Sequence, residues 1–446
     1  MKLVFIIDRT NHYRHYGSLI SEGLIRGHSI ECWHDYRKRT NGIKDYLFPH
    51  IELSPFYLKG NKNILFKKIE KNSQFSEYIL SNDNVDYFIA PYPITTRRLD
   101  ISNELIDKLK NRWCTLMLGM DNFVNMRKFG DANLYDYNPI FLSESKRFFN
   151  EGLEWMSKHN PSSLEFYQNN KTKILHIGST ILTKKFFKKN SGKKKKRKLV
   201  YLPFPYLPSR YGKNNFSWQA AYSGLFINYY KHKIRNKLPV QFVDRVKDRI
   251  HKVRCFYQII KDKNSRRYFK QKNNEVNVAR AIRAFCNKNN LEFVVKPRKK
   301  FPIIEPLFSL ADEVIYDDES QRNPSLLQKL FNDTSIVVGG LTSAVGEVIF
   351  NDIPFVNIEI PDFVFLDQWD KFLYDYNNGS FYNYDKVVYN FKIEDFIKTF
   401  SNKNIQDFEL NENNKKKFLK EFYDYEGVEA CEVFYQSLEH NTQSPL

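Results

Sequence analysis

The chain opens with an unbroken apolar run. In "KLVFIID" Leu3, Val4, Phe5, Ile6 and Ile7 are followed by polar residues from Asp8 onward, the pattern of a strand buried on both faces. In "HYRHYGSLISEGLIRGHSIECWHD" the apolar positions Tyr16, Leu19, Ile20 and Leu24 recur at helical spacing, Gly27 supplies a stop, and a second strand is predicted around Ser29–Trp33. The alternation continues through the strand "VDYFIAPYPI", a helical stretch near Ser102–Asn111, the strands "WCTLMLG" and "PIFLS", a helix through Lys146–Met156 and the strand "KILHIGST". Strands alternating with helices imply a mostly parallel sheet covered on both faces.

The stretch "KKNSGKKKKRK", residues 188–198, has no apolar periodicity and is expected to be an interdomain linker or exposed loop. A second α/β series begins at "LVYLPFPYLP". It continues through a long basic helical segment (Val240–Arg266), a helix near Val276–Asn289, the strand "EFVVKP", the short strand "EVIYDD", and a helix with Asn323 as N-cap and Pro324 at its first position. It then reaches "SIVVGGLTSAVGEVIFNDIPFVNIEI", and after Asp385 the pattern reads as helical to a polar tail. No short-period repeat interrupts this order. The expected organisation is an N-terminal Rossmann-like domain over 1–187, the linker at 188–198, a second Rossmann-like domain over 199–395, and C-terminal helices and tail over 396–446.

Composition sharpens this picture. With 446 residues, 42% hydrophobic and 16% aromatic, the chain has material for two or three real cores, which excludes a disordered protein. Its formal charge of +19 suits a partner that carries phosphates, whether nucleic acid, an anionic membrane face or a nucleotide-linked substrate. The five cysteines are odd in number, scattered and without a C-x-x-C pair, so neither a disulfide framework nor a zinc site is expected and a reducing cytoplasm is the default. No apolar run approaches the ~18 residues that span a bilayer, so membrane contact is expected to be peripheral.

The richest chemistry lies at 335–360. Gly339 and Gly340 follow a buried strand, Thr342 and Ser343 are suited to cap the next helix, and Glu347 lies four residues past Ser343 on the same expected face. A helix start at a strand's carboxyl end favours a diphosphate. A carboxylate, which only accepts hydrogen bonds, suits a ribose diol. Together they describe a nucleotide site, against the plainer alternative of a tight strand-to-helix turn with a solvated Glu347.

Gly340, Thr342, Ser343, Glu347 and the strand "IPFVNIEI" resemble the nucleotide-sugar half of GT-B glycosyltransferases, with its "G-x-T/N-S" turn, helix with a ribose-binding Glu, and "P-x-V-x" strand. The similarity extends to bacterial surface-polysaccharide enzymes of the Kdo transferase and CDP-glycerol transferase kinds. "HYRHYGSLISEGLIRGHSIECW" is similar to the opening of many such enzymes, and "FVVKPRKK" to their "K-P-H-x" segment, with Arg298 where His is common, which suits phosphate pairing. Asp367-Gln368 resembles the sugar-holding Asp-Gln pair of plant-type enzymes, about four residues farther along.

The resemblance implies an α/β, GT-B-like fold: two Rossmann-like domains whose parallel sheets face across a cleft, plus C-terminal helices. It implies sugar transfer from a CMP- or UDP-type donor to a saccharide or lipid-linked acceptor in capsule or lipopolysaccharide biosynthesis. The nucleotide-sugar is then a substrate, and no cofactor or metal is expected; Asp317–Glu319 is read as a strand end.

Such a reaction needs the acceptor deprotonated and the leaving phosphate neutralised. Phosphate candidates are Thr342-Ser343, Lys296, Arg298 and Arg210. Candidates for the base or nucleophile follow N-domain strands: Asp121 after "CTLMLG", Asp8, and His12, with His15 nearby. The basic run Lys193–Lys198 would hold the enzyme near the inner membrane face, at about 1 kcal/mol per residue close to anionic lipid. A second reading keeps the fold and transfers a polyol phosphate from a CDP-activated donor. A third is a basic nucleic-acid-binding protein, though no zinc-finger spacing or RNA-recognition signature is present and no nucleic-acid partner is expected.

Overall fold

Leu3–Ile7 are fully excluded from solvent, as a strand covered on both faces must be. The computed structural model describes residues 1–37, 48–94, 99–116, 140–159, 173–184, 197–203, 275–297, 309–316, 325–340, 342–359 and 375–443, with Pro161 and Asn323. These residues form two α/β units, each assembled from more than one stretch: Met1–Lys188 with Asp318–Lys329 and Leu419–Leu446, and Lys189–Asp317 with Leu330–Phe418.

The first unit carries β1 (Lys2–Ile7), α1 (Tyr13–Ile25), β2 (Ser29–Asp35), α2 (Pro55–Leu58), β3 (Ile64–Ile69), α3 (Asn72–Leu80), β4 (Tyr87–Ala90), α4 (Asn103–Leu109), β5 (Trp113–Leu116), β6 (Ile140–Ser143), α5 (Lys146–His159) and β7 (Lys173–His176). The described strands form one parallel sheet in the order β3-β2-β1-β4-β5-β6-β7. Strand alternation divides its core. Leu3, Phe5 and Ile7 pack on one face with Tyr16, Leu19 and Ile20 of α1. Val4 and Ile6 pack on the other with Phe75 and Ile79 of α3 and Leu105 and Leu109 of α4.

The second unit carries β8 (Lys198–Leu202), α6 (Glu275–Asn289), β9 (Glu292–Val295), β10 (Glu313–Val314), β11 (Thr334–Gly339), α8 (Val345–Phe350), β12 (Phe355–Ile358), β13 (Val388–Phe391) and α9 (Ile393–Thr399); α7 (Leu326–Leu330), ahead of β11 in the chain, belongs to the first unit up to Lys329. Its sheet is also parallel, in the order β10-β9-β8-β11-β12-β13. Leu199, Ile336, Val338, Val356 and Ile358 pack against Val278, Ile282 and Phe285 of α6 and Phe396 of α9. The class expected from the sequence, α/β with two Rossmann-like parallel-sheet units and C-terminal helices, is the class the structure has.

Three local expectations need correction. The segment after Asp385 is not wholly helical: Val388–Phe391 is a strand pairing with β12, in keeping with its β-branched and aromatic residues. The helix near 324 is capped by Ser325. Ser325 Oγ accepts from the Gln328 amide (3.3 Å) while Gln328 Oε1 accepts from the Ser325 amide (2.8 Å), a capping box; Asn323 instead lies buried against Gly17 of α1. The basic run ends inside the second sheet, where Lys198 starts β8 and pairs with Glu292 and Glu313. The expected C-terminal helices are present. After α10 (Glu412–Tyr423), α11 (Ala430–Gln443) places Phe434, Tyr435 and Leu438 in the core of the first unit. Tyr435 Oη donates to the Leu19 carbonyl (2.8 Å), and a Cβ at Gly23 would collide with that hydroxyl.

The four described cysteines, Cys32, Cys114, Cys286 and Cys431, are buried and unbridged, and burial pushes the Cys32 and Cys286 thiols up to about 12. Among the described residues no helix is long and apolar enough to cross a membrane.

Candidate functional site

In each sheet the strand order reverses beside the first strand, between β1 and β4 in one unit and between β8 and β11 in the other. Ligands of open α/β sheets bind outside the carboxyl ends of strands at such a switch point. Asp8 follows β1, and Gly339 and Thr342 lie at and just past the end of β11.

In the first unit Asp8 is the first residue past β1, and the chain turns at once into a short 3-10 segment that runs into α1. This brings His12 back over the strand's end, where its Nε2 lies 3.1 Å from Asp8 Oδ1 and both side chains are buried. A carboxylate at Nε2 fixes the hydrogen there and makes Nδ1 the basic nitrogen.

One turn along, His15 Nδ1 lies 3.3 Å from Oε1 of Glu144, the first residue past β6. The Glu144 oxygen also accepts from the Thr180 amide (3.2 Å) and hydroxyl (2.7 Å), and Ser18 Oγ donates to the Thr180 carbonyl (2.8 Å). Between the two pairs lies Tyr16, whose ring meets His12 at 5.8 Å. Burial, then the neighbouring Asp8, Tyr92 and Glu144, raise its phenol well above the ordinary range, so it stays protonated.

A third imidazole is held neutral. Tyr13 Oη and His34 Nε2 are 2.8 Å apart, His34 Nδ1 and the Pro49 carbonyl 2.7 Å apart, and burial pulls the His34 pKa down to about 4. The carbonyl can only accept, so Nδ1 carries the proton and Nε2 accepts from the tyrosine.

The second unit's strand ends are built differently. Gly339 ends β11 in register with Leu202 of β8 and Asn357 of β12. Gly339 does not have a left-handed backbone. What demands glycine at 339 is packing: a Cβ would stand 3.2 Å from both Leu202 Cβ and its carbonyl oxygen and 3.4 Å from the Phe355 ring.

Thr342 is buried. Its Oγ1 accepts from the Ala344 amide (3.2 Å) and its carbonyl from Tyr382 Oη (3.4 Å). This turn delays the helix, which begins at Val345 with Ala344 as N-cap. Thr342 and Ser343 therefore precede the helix, and Ser343 and Glu347 do not share a helical face as expected. Glu347 is the third helical residue and 1% exposed. Lys296 follows β9, its amide donating to the Tyr201 carbonyl of β8 (2.9 Å).

The structure thus brings Asp8 and His12 together in one unit and sets Gly340, Thr342, Ser343, Glu347 and Lys296 around the strand ends of the other. Asp121, Arg210, Arg298, Asp367 and Gln368 lie outside the described residues. Glu144 and Thr180 were not among the sequence candidates. Glu144 obeys the rule that selects Asp8, first polar residue after a buried strand, and was legible on that signal; its pairing with His15, 129 positions away, was not. Among the described residues no group of three or more His, Cys, Asp or Glu is arranged to hold a metal ion.

The sequence matches no family model and no curated protein. Solved structures do match. The wall teichoic acid polymerase TagF aligns over 99% of this chain and 89% of its own at 11% identity and a TM-score of 0.48. UDP-GlcNAc 2-epimerase from Neisseria meningitidis, bound to UDP-GlcNAc, aligns over 99% and 100% at 10% identity and a TM-score of 0.43. Arabidopsis thaliana UGT89C1, complexed with UDP-L-rhamnose, aligns over 99% and 94% at 10% identity and a TM-score of 0.39.

Proposed function

We propose that the chain is a GT-B-type glycosyltransferase that moves a sugar from a nucleotide-activated donor to a saccharide or lipid-linked acceptor in surface-polysaccharide biosynthesis. The observation that carries this reading is the placement of a glycine turn at the carboxyl end of β11, one of the two strands that flank the second unit's switch point. Lys296, two strands away at the same end of the sheet, supplies positive charge for the donor phosphate.

The first unit supplies proton transfer. Asp8 holds His12 so that its Nδ1 takes the acceptor hydroxyl's proton, and the carboxylate then stabilises the imidazolium. Glu144 holds His15 by the other ring nitrogen, Nδ1, which leaves Nε2 as the basic one. Asp121, Arg298, Asp367 and Gln368 remain part of this reading by resemblance, Arg210 by its place in the sequence, and peripheral contact of the basic run with an anionic membrane by its charge.

A thermal-shift panel of CMP, CDP, UDP, GDP and ADP tests it. One nucleotide diphosphate or monophosphate is expected to raise the wild-type Tm, and Glu347→Gln, which keeps the side chain's size, to blunt that rise. A wild type stabilised by none of the five sinks the donor-site assignment. Transfer of glycerol phosphate from CDP-glycerol, without sugar transfer, would replace this reading by the polyol-phosphate one.

A further inference from the structure

Beside the glycine turn the second sheet carries a row of polar side chains. Asn357 on β12 pairs in register with Gly339 on β11 and with Asn390 on β13. The neighbouring residues Val356 and Ile358 face the core formed with α6, and Tyr389 and Phe391 pack against that same core. By alternation Asn357 and Asn390 point to the opposite face.

Asn357 Nδ2 donates to Asn390 Oδ1 (2.8 Å), and Asn390 Nδ2 donates to Glu359 Oε1 (2.6 Å). The direction of this relay is fixed at its far end. A carboxylate can only accept, so Asn390 must present its amide nitrogen to Glu359 and its oxygen to Asn357. Asn357 must then use its own nitrogen, and its Oδ1 is left over. Among the described residues that oxygen is buried with no hydrogen-bond partner, on a residue that is fully excluded from solvent and one position short of the end of β12. Leaving such an acceptor unsatisfied costs about 1–3 kcal/mol.

We infer that Asn357 is a specificity-determining residue of the donor site, its Oδ1 receiving an N–H or O–H from the uncharged end of the nucleotide, the nucleoside. A carbonyl oxygen cannot bind an ionised phosphate, and Glu359 adds negative charge on the same side. The diphosphate therefore lies away from β12, toward Lys296 after β9, three strand spacings or about 14 Å from Asn357 along the sheet. The strand ends become a polarised track, cationic on the β9 side and hydrogen-bond-accepting on the β12 side. This inference rests on the donor-site reading above and adds an orientation to it.

Isothermal titration with UDP, CDP and inorganic pyrophosphate, on the wild type, Asn357→Ala and Glu359→Gln, tests it. Asn357→Ala is expected to weaken the better-bound nucleotide about threefold to tenfold, the loss of one neutral hydrogen bond, and to leave pyrophosphate binding unchanged. Glu359→Gln keeps Asn357 in place but frees Asn390 to turn over. The Asn357 amide can then present either end, and the variant is expected to narrow the affinity difference between UDP and CDP without losing binding. Pyrophosphate weakened as much as the nucleotide would overturn the orientation. A nucleotide bound equally by wild type and Asn357→Ala would overturn the assignment and leave the donor site standing. A wild type that binds neither nucleotide removes the donor site itself, and this inference with it.

Discussion

The two sheets share one architecture and differ in what they place at their strand ends. Those of the first unit are ionisable, Asp8 with His12 and Glu144 with His15, with the phenol of Tyr16 between them kept protonated by burial. Those of the second are largely neutral, with glycines, a turn made by Thr342 and the amides of Asn357 and Asn390, and Lys296 and Glu359 on opposite sides. Proton transfer needs groups that change charge near working pH and are oriented by a partner. Gripping a ligand that is anionic at one end and rich in hydroxyls at the other needs close backbone approach and fixed dipoles. On the proposed reading, the same fold carries a reactive surface in one unit and a binding surface in the other.

The largest effect that could break this contrast is on catalysis. His12→Gln should lower kcat by about 100- to 10,000-fold, the range for losing a general base, while the Tm shift caused by a bound nucleotide stays at its wild-type size. Loss of both together would show that the two surfaces do not divide the work. Asp8→Asn should act in the same direction and move the pH profile, since the imidazole loses the carboxylate that stabilises its charged form.

Next in size is acid stability. His34 is held near 4, below its ordinary 6.5, so the unfolded chain binds the extra proton between those values. The stabilisation is complete above pH about 6.5 and lost as pH falls to about 4, roughly 3 kcal/mol in all. Hydrogen exchange followed by mass spectrometry should show peptides of β1 and β2 losing protection over this window, with a shallower pH slope in His34→Gln. A slope equal in the two proteins would place the acid sensitivity elsewhere.

The smallest effect concerns the second unit. Gly339→Ala puts a methyl 3.2 Å from Leu202 Cβ and its carbonyl oxygen, and should cost about 1–2 kcal/mol, read as a lower Tm. An unchanged Tm would mean that β8 and β11 can part at no cost, and that glycine is there for another reason.

Much of the frame was legible in the chain because it rests on local pattern. β1 and β11 are continuous apolar runs, and Asp8 and His12 stand out as polar residues after the first of them; that they pair depends on the 3-10 turn at Thr10–His12. β3 was not recognised: Lys67 and Lys68 interrupt its apolar run, and only the fold shows their cations lying 5.1 Å from the Trp33 ring and 4.8 Å from the Tyr36 ring. The start of the helix after the glycines was misread because Thr342 spends its hydroxyl on a turn two residues long rather than on a cap. The return of α11 to α1 depends on Tyr435 meeting a surface left bare by Gly23, a match of shapes between residues more than four hundred positions apart. The leftover acceptor on Asn357 appears only when β11, β12 and β13 stand in register.

The division of labour is tested most directly by equilibrium binding of the nucleotide that gives the largest thermal shift, measured side by side on wild type, His12→Gln and Lys296→Ala. The account predicts wild-type affinity for His12→Gln and an affinity about tenfold weaker for Lys296→Ala, the loss of a charge-assisted phosphate contact. Equal weakening in both variants, or full affinity in Lys296→Ala, would contradict it.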